Sequence, residues 1–183
     1  MTPLQKINTK RLALNSLFLA LGLILHQVMP VFGLPMEPDL ALATLFVIIV
    51  LNKDSFLTCL NASIITGIFT ALTTKFPGGQ LPNIIDKTLT GLIVFILIWS
   101  LYNLPIVKKI KDSVKDLIVS FFICPVGTLI SGFTFLTSAY YIVGLPASFS
   151  ALIITIVLPA VVLNSIISAF LIKITKRVVK NTK

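Results

Sequence analysis

Long apolar runs separated by short polar connections fill most of the chain between residues 12 and 172. A bilayer core about 30 Å thick is crossed by a helix of about 20 apolar residues, and only helices or closed barrels satisfy their backbone hydrogen bonds inside it. These runs are too long and too continuous for barrel strands. Composition agrees: 56% of the 183 residues are hydrophobic, 11% are charged and the mean hydropathy is +1.03, well outside the range of a soluble domain. The expected fold is all-α, a single polytopic membrane domain over residues 1–183.

Hydropathy places spans at 12–29, 40–51, 56–72, 84–102, 117–143 and 150–172, six in all. The second is short for a span, and the fifth is interrupted by Pro125, Gly127 and Gly132, which leaves another count open. Charge supports six. With six spans, both termini share one side with the loops around Lys53 and Lys108 to Lys115, and that side holds thirteen of the fifteen basic residues. Only Lys75 and Lys87 fall opposite. By the positive-inside rule both termini are expected in the cytoplasm. The net charge of +9 is then a topology signal rather than a nucleic-acid footprint, and its plain consequence is attraction to anionic inner-leaflet lipid.

The first span starts like a signal peptide, but no small-residue cleavage site follows it, and it is expected to stay in the chain. Cys59 and Cys124 lie in or beside apolar spans without metal-ligand spacing, as packing residues do. The chain shows no phosphate-binding glycine loop, no HExxH, no GxSxG and no paired carboxylates at helical spacing on the cytoplasmic face. An enzyme is not expected, nor a bound cofactor. Active transport would need ion coupling or a separate motor.

The outer connections are the unusual part: HQVMPVFGLPMEPD, TTKFPGGQLPNIIDK and YYIVGLPASFS are rich in turn formers and polar groups. In the second, Pro82 suits a first helical turn and puts Asn83, Asp86, Lys87 and Thr90 on one helical face. Such a face can hold an amino acid, with its carboxylate at the helix N-terminus or on Lys87, its ammonium on Asp86, and a ring against Phe76 or the Pro-Gly turn. The same Asp-Lys pair also serves simply to neutralise charge at the membrane interface; depth in the bilayer decides between the two. Glu37 and Asp39 stand where the short second helix begins, and capping is the alternative role for Asp39. His26 near the outer end of the first helix is a further candidate, as is Asn164, an amide in an otherwise apolar helix one turn beyond Pro159. Pro125 and Pro159 each free a carbonyl one turn earlier, in the manner of the broken helices that line transporter sites.

Several blocks together carry a resemblance: LH at 25–26, MEPD at 36–39, ALTTKFPGGQLPNIIDK at 71–87, SGFTFL at 131–136, VGLP at 143–146 and LPAVVLN at 158–164. The chain resembles the bacterial tryptophan transport protein family over nearly its whole length, most specifically in the 71–87 block. The resemblance implies a substrate-binding S-component of an energy-coupling-factor transporter in the bacterial cell membrane. Such a six-helix protein captures tryptophan outside and works with a transmembrane T-component and two ATPases, which use the ATP. It also implies substrate contacts from Glu37, Asp39, Gln80, Asn83, Asp86 and Lys87, with Asn164 and His26. The ring would lie among aromatics such as Phe76, Tyr140 and Tyr141. S-components dock through an Ala-x-x-x-Ala pattern on the first helix; here Ser16 and Ala20 stand in for it, with Ala13 on the same side. A standalone ion-coupled carrier, an S-component for another small aromatic or vitamin ligand, and a membrane protein with no small ligand stay open as rivals.

Overall fold

A computed structural model describes residues 9–30 and 37–181, and every regular element among them is helical. The long helices are α1 (Thr9–Val28), α3 (Phe56–Thr73) and α4 (Gln80–Asn103). A one-turn helix, α5 (Pro105–Lys108), links α4 to α6 (Asp112–Ile118), which continues through a π-helical segment (Val119–Ile123) into α7 (Cys124–Ile142). Likewise α8 (Phe149–Leu152) passes through a π-helical segment (Ile153–Val157) into α9 (Leu158–Asn181). Five of these stretches are long and apolar enough to cross a membrane.

The apolar run at 40–51 behaves differently. It forms α2 (Ala41–Leu51), eleven residues long, which spans about 16 Å at 1.5 Å per residue, roughly half of a bilayer core. The expected second span is therefore a half-length internal helix. Every residue from Ala41 to Val50 is buried, as a helix that is apolar all round must be. Its start is sunk into the bundle: Gly22 packs against Thr44 and Ala41, and Gly22 lies about 9 Å before the end of α1. Residues 37–40 thus run non-helically inside the protein, which is tolerated at such depth only where the backbone is satisfied by protein. Here the carbonyl of Asp39 accepts from Asn164 Nδ2 at 2.9 Å, and the carbonyl of Leu40 accepts from Ala43 N–H at 3.2 Å.

Small residues let α3 and α4 approach closely. A Cβ on Gly91 would come within 1.9 Å of Ser63 Oγ, and one on Gly67 within 3.1 Å of the Ile84 backbone. This is the packing inside the chain expected of small residues at helical spacing. The hydroxyls of Ser63, Thr66 and Thr70 bond back to carbonyls of their own helix, so α3 offers a smooth face. Both cysteines are buried and free.

The prolines act through register. Cys124 N–H and Leu158 N–H each reach the carbonyl five residues earlier, at Val119 and Ile153. Pro125 and Pro159 directly follow these wide turns, which make room for a ring that would clash with the carbonyl four residues before it. The second wide turn carries Ile156 and Val157 onto the inner face of the bundle.

Candidate functional site

The site begins at the turn before α4. Pro77 and Gly78 hold its central positions, Gly78 takes φ 73° and Gly79 N–H donates to the Phe76 carbonyl at 3.0 Å. This is a type II turn, whose second central position suits glycine because a Cβ is strained at positive φ. The turn leaves Phe76 pointing inward and buried. From Gln80 onward the helical period then brings Asn83, Asp86, Lys87 and Thr90 to one face, all buried.

Both charged side chains are enclosed by protein: Asp86 is 0% exposed and Lys87 is 1% exposed. Lys87 pairs with Asp86 and, at 2.5 Å, with Asp39 Oδ2. Both oxygens of Asp86 are occupied, Oδ1 by Thr90 Oγ1 at 2.9 Å and Oδ2 by Lys87 and by Ser131 Oγ at 2.8 Å. Asp39 spends Oδ1 on the backbone N–H of Ala41 at 2.9 Å, so it caps α2 and binds Lys87 at once. The ammonium therefore ties α4 to the start of α2, and Asp86 ties α4 to Ser131 of α7.

Above this triad the three buried or half-buried acids, one lysine, one histidine and an apolar wall enclose a small cavity of about 50 Å³. His26, Glu37, Asp39, Asn83, Asp86 and Lys87 line it on the polar side, and Phe76, Phe135, Leu136, Ile156 and Val157 on the apolar side. Phe76 and Phe135 meet edge to face at 5.5 Å. Three of the six acidic residues of the chain surround this one space. An ionised group near a bilayer centre costs about 2.5–3.5 kcal/mol on insertion scales, and such residues face bundle interiors or cavities where they have a task.

The structure brings together six of the eight candidate binding residues and sets two apart. Gln80 is exposed and does not line the cavity: its spacing puts it in line with Asn83 and Lys87, but at the first position of α4 it lies a turn beyond the enclosed part of that face. Asn164 stands behind the wall. Its Nδ2 reaches the Asp39 carbonyl and Thr128 Oγ1 at 3.4 Å, so it holds the segment that carries Asp39. Of the expected aromatics only Phe76 faces the cavity; Tyr140 and Tyr141 are exposed, Tyr141 at 80%, and meet edge to face at 5.2 Å. The second aromatic lining the cavity is Phe135, which sequence reasoning did not single out, with Ser131 one turn earlier. The available signal was Thr128, Ser131 and Phe135 at helical spacing within an apolar run. Ala13, Ser16 and Ala20 all lie exposed on α1, away from the cavity.

The family model described as the tryptophan transporter TrpP matches residues 8–180. A probable tryptophan transport protein of Clostridium perfringens is 49% identical over 170 residues, 93% of each chain. One of Clostridium acetobutylicum is 45% identical over 172 residues, 94% of this chain and 95% of the relative. One of Bacillus subtilis is 38% identical over 176 residues, 96% of each. No solved structure matches the chain.

Proposed function

We propose that this chain, which belongs to the tryptophan transporter family TrpP, is a multi-pass protein of the bacterial cell membrane that takes up tryptophan by capturing it in the cavity beside Asp39, Asp86 and Lys87. The observation that carries the proposal is the pairing of a charged floor, in which Asp86 and Lys87 are fully buried, with a Phe76–Phe135 wall. An amino acid with an indole ring needs both: fixed charges for its zwitterion and aromatic faces for its ring. The basic end of the bundle faces the cytoplasm, and the cavity opens toward the other side.

In this proposal the protein is the S-component of an energy-coupling-factor importer. It binds no nucleotide; a T-component and two ATPases supply the work. The exposed strip of Ala13, Ser16 and Ala20 on α1 supports this assignment, because small side chains allow a partner helix to come close. Contacts from Asn83 and His26 complete the site, and Asn164 acts through Asp39.

The experiment is equilibrium binding of radiolabelled L-tryptophan to the purified chain in detergent, with tyrosine, phenylalanine and indole as competitors. Saturable, tryptophan-selective binding without ATP or an ion gradient is expected. Absence of binding in folded protein sinks the capture role. Uptake in cells should then require the ATPases and should fail in Ala20→Trp while binding persists. The buried acids also favour a second reading, a carrier driven by protons or sodium; uptake that collapses with the ion gradient and ignores loss of the ATPases would select it.

A further inference from the structure

Two acidic oxygens at the cavity accept no hydrogen bond among the described residues, Asp39 Oδ2 and Glu37 Oε2; Asp39 Oδ2 is ion-paired with Lys87 at 2.5 Å, which leaves Glu37 Oε2 without a counter-charge. The Glu37 side chain is 3% exposed and lines the cavity. Its other oxygen, Oε1, is taken by the backbone N–H of Lys75 at 3.1 Å. The nearest ionisable group is His26, whose Nε2 faces Oε1 at 3.8 Å, too far for a hydrogen bond.

The state of that histidine follows from its neighbour. Thr73 donates its hydroxyl proton to the Phe69 carbonyl at 2.8 Å, so toward His26 Nδ1, at 2.7 Å, it acts as acceptor. His26 Nδ1 therefore carries a proton, and in the neutral imidazole Nε2 holds a lone pair. Two acceptors then face one space. An imidazole lone pair and a carboxylate repel unless a donor with several protons stands between them, and a buried carboxylate oxygen with no donor is costly to maintain.

The other acids of the cavity are differently placed. Asp86 has both oxygens bonded, and Asp39 is divided between Lys87 and the start of α2. Their shared lysine already has two carboxylate partners. The sequence pattern suggested Asp86 as the ammonium partner; hydrogen-bond accounting gives that task to a different acid.

We infer that Glu37 and His26 form the seat for the primary ammonium group of the ligand, with Glu37 Oε2 as counter-charge and His26 Nε2 as a second acceptor. This rests on the cavity being the ligand site, as proposed above. It assigns specificity: the site selects for a protonated amine and tolerates loss of the carboxylate better than loss of the amine.

The test uses the purified full chain and three ligands that share the indole: tryptophan, tryptamine, which lacks the carboxylate, and indolepropionate, which lacks the amine. Wild type is expected to bind tryptamine at least tenfold more tightly than indolepropionate. Glu37→Gln is expected to weaken tryptophan and tryptamine by tenfold or more, and to leave indolepropionate unchanged within twofold. Glu37→Asp, which keeps the charge on a shorter arm, should preserve the preference for the amine at reduced affinity, and it serves as the readout if the glutamine variant does not fold. Equal weakening of all three ligands in Glu37→Gln would make Glu37 a structural residue and overturn the assignment. So would wild-type protein that prefers indolepropionate. Sodium-dependent tryptophan binding that Glu37→Gln abolishes, with amine preference intact, would give the seat to a metal cation and overturn it as well. If wild type binds none of the three, capture itself fails, and this inference falls with it.

Discussion

The ion cluster under the cavity and the one around Tyr102 use the same side-chain types and differ in their access to water. Under the cavity, Lys87 and Asp86 are fully buried, and Lys87 also pairs with Asp39, whose side chain keeps 19% exposure. At the basic end, Lys176 pairs with Asp116 while both side chains keep substantial exposure, 32% and 23%. Lys53, Lys115 and Lys176 surround the Tyr102 ring at 4.8, 5.8 and 5.8 Å from its centroid. A cation over an aromatic face in partial contact with water gains about 0.5–1 kcal/mol. The basic cluster is what helix ends on a positive side tend to accumulate, and its Lys176–Asp116 pair keeps contact with water. Asp86 and Lys87 have no such contact, so each depends on its charged neighbours.

The comparison breaks first, and with the largest effect, at Lys87. Removing one partner of a buried ion network leaves an uncompensated charge and costs about 3–5 kcal/mol. Lys87→Met, with Asp39 and Asp86 left facing each other, is expected to lower the unfolding temperature in detergent sharply or to prevent accumulation in the membrane. Adding Asp39→Asn and Asp86→Asn should restore much of that stability. A stable single variant would mean that the two acids are already neutral, and the contrast with the basic end would vanish.

A smaller effect is expected at Lys176. Partly exposed pairs contribute about 0.2–1 kcal/mol and are screened by salt. Lys176→Ala should therefore shift thermal unfolding slightly, and less in high salt than in low salt. A loss as large as that of Lys87→Met would show that the Tyr102 cluster is locked in the same way as the cavity.

The smallest effect belongs to Arg11 and Asp54, where the guanidinium holds both carboxylate oxygens at 3.0 and 2.8 Å across an exposed junction. Burial alone would raise the Asp54 carboxyl, but the hydrogen bond and charge of Arg11 outweigh it and hold the group below the ordinary carboxylate range. The unfolded chain then binds the proton more readily, so the contribution is present above about pH 4, the ordinary Asp value, and is lost as pH falls through the lowered folded value. Unfolding followed from pH 6 to pH 3 should show this slope in the wild type and a flatter one in Asp54→Asn. Equal slopes would remove the pair from the stability of the fold.

Much of the architecture was legible because hydropathy is local. Five of the six apolar runs became membrane-length helices; α4 began four residues earlier than the run at 84–102 because its polar first turn, Gln80 to Asn83, is helical too, and α9 runs on through its basic end to Asn181. The face that joins Asn83, Asp86, Lys87 and Thr90 was legible for the same reason, since helical spacing alone fixes it. The inward face of an oily helix is harder to find. In α7 or α9 every side is apolar enough for lipid, so periodicity says little about whether Phe135 or Tyr141 looks into the bundle. Gln80 shows the same weakness from the polar side: a residue at a helix start can bond with water as easily as with a ligand.

The sequence by itself determined the class of fold, the order of its helices, the basic end and the polar face of α4, because all of these follow from composition and from spacing along one segment. The tertiary structure alone decided that α2 is a buried half-length helix, that residues 37–40 descend beside it, and that Glu37, Asp39 and His26 meet Lys87 in one space. Those contacts join positions up to about sixty residues apart, and no local rule links them. They arise because α2 is apolar on every side and must be enclosed, and the helices that enclose it carry their buried charges toward one another.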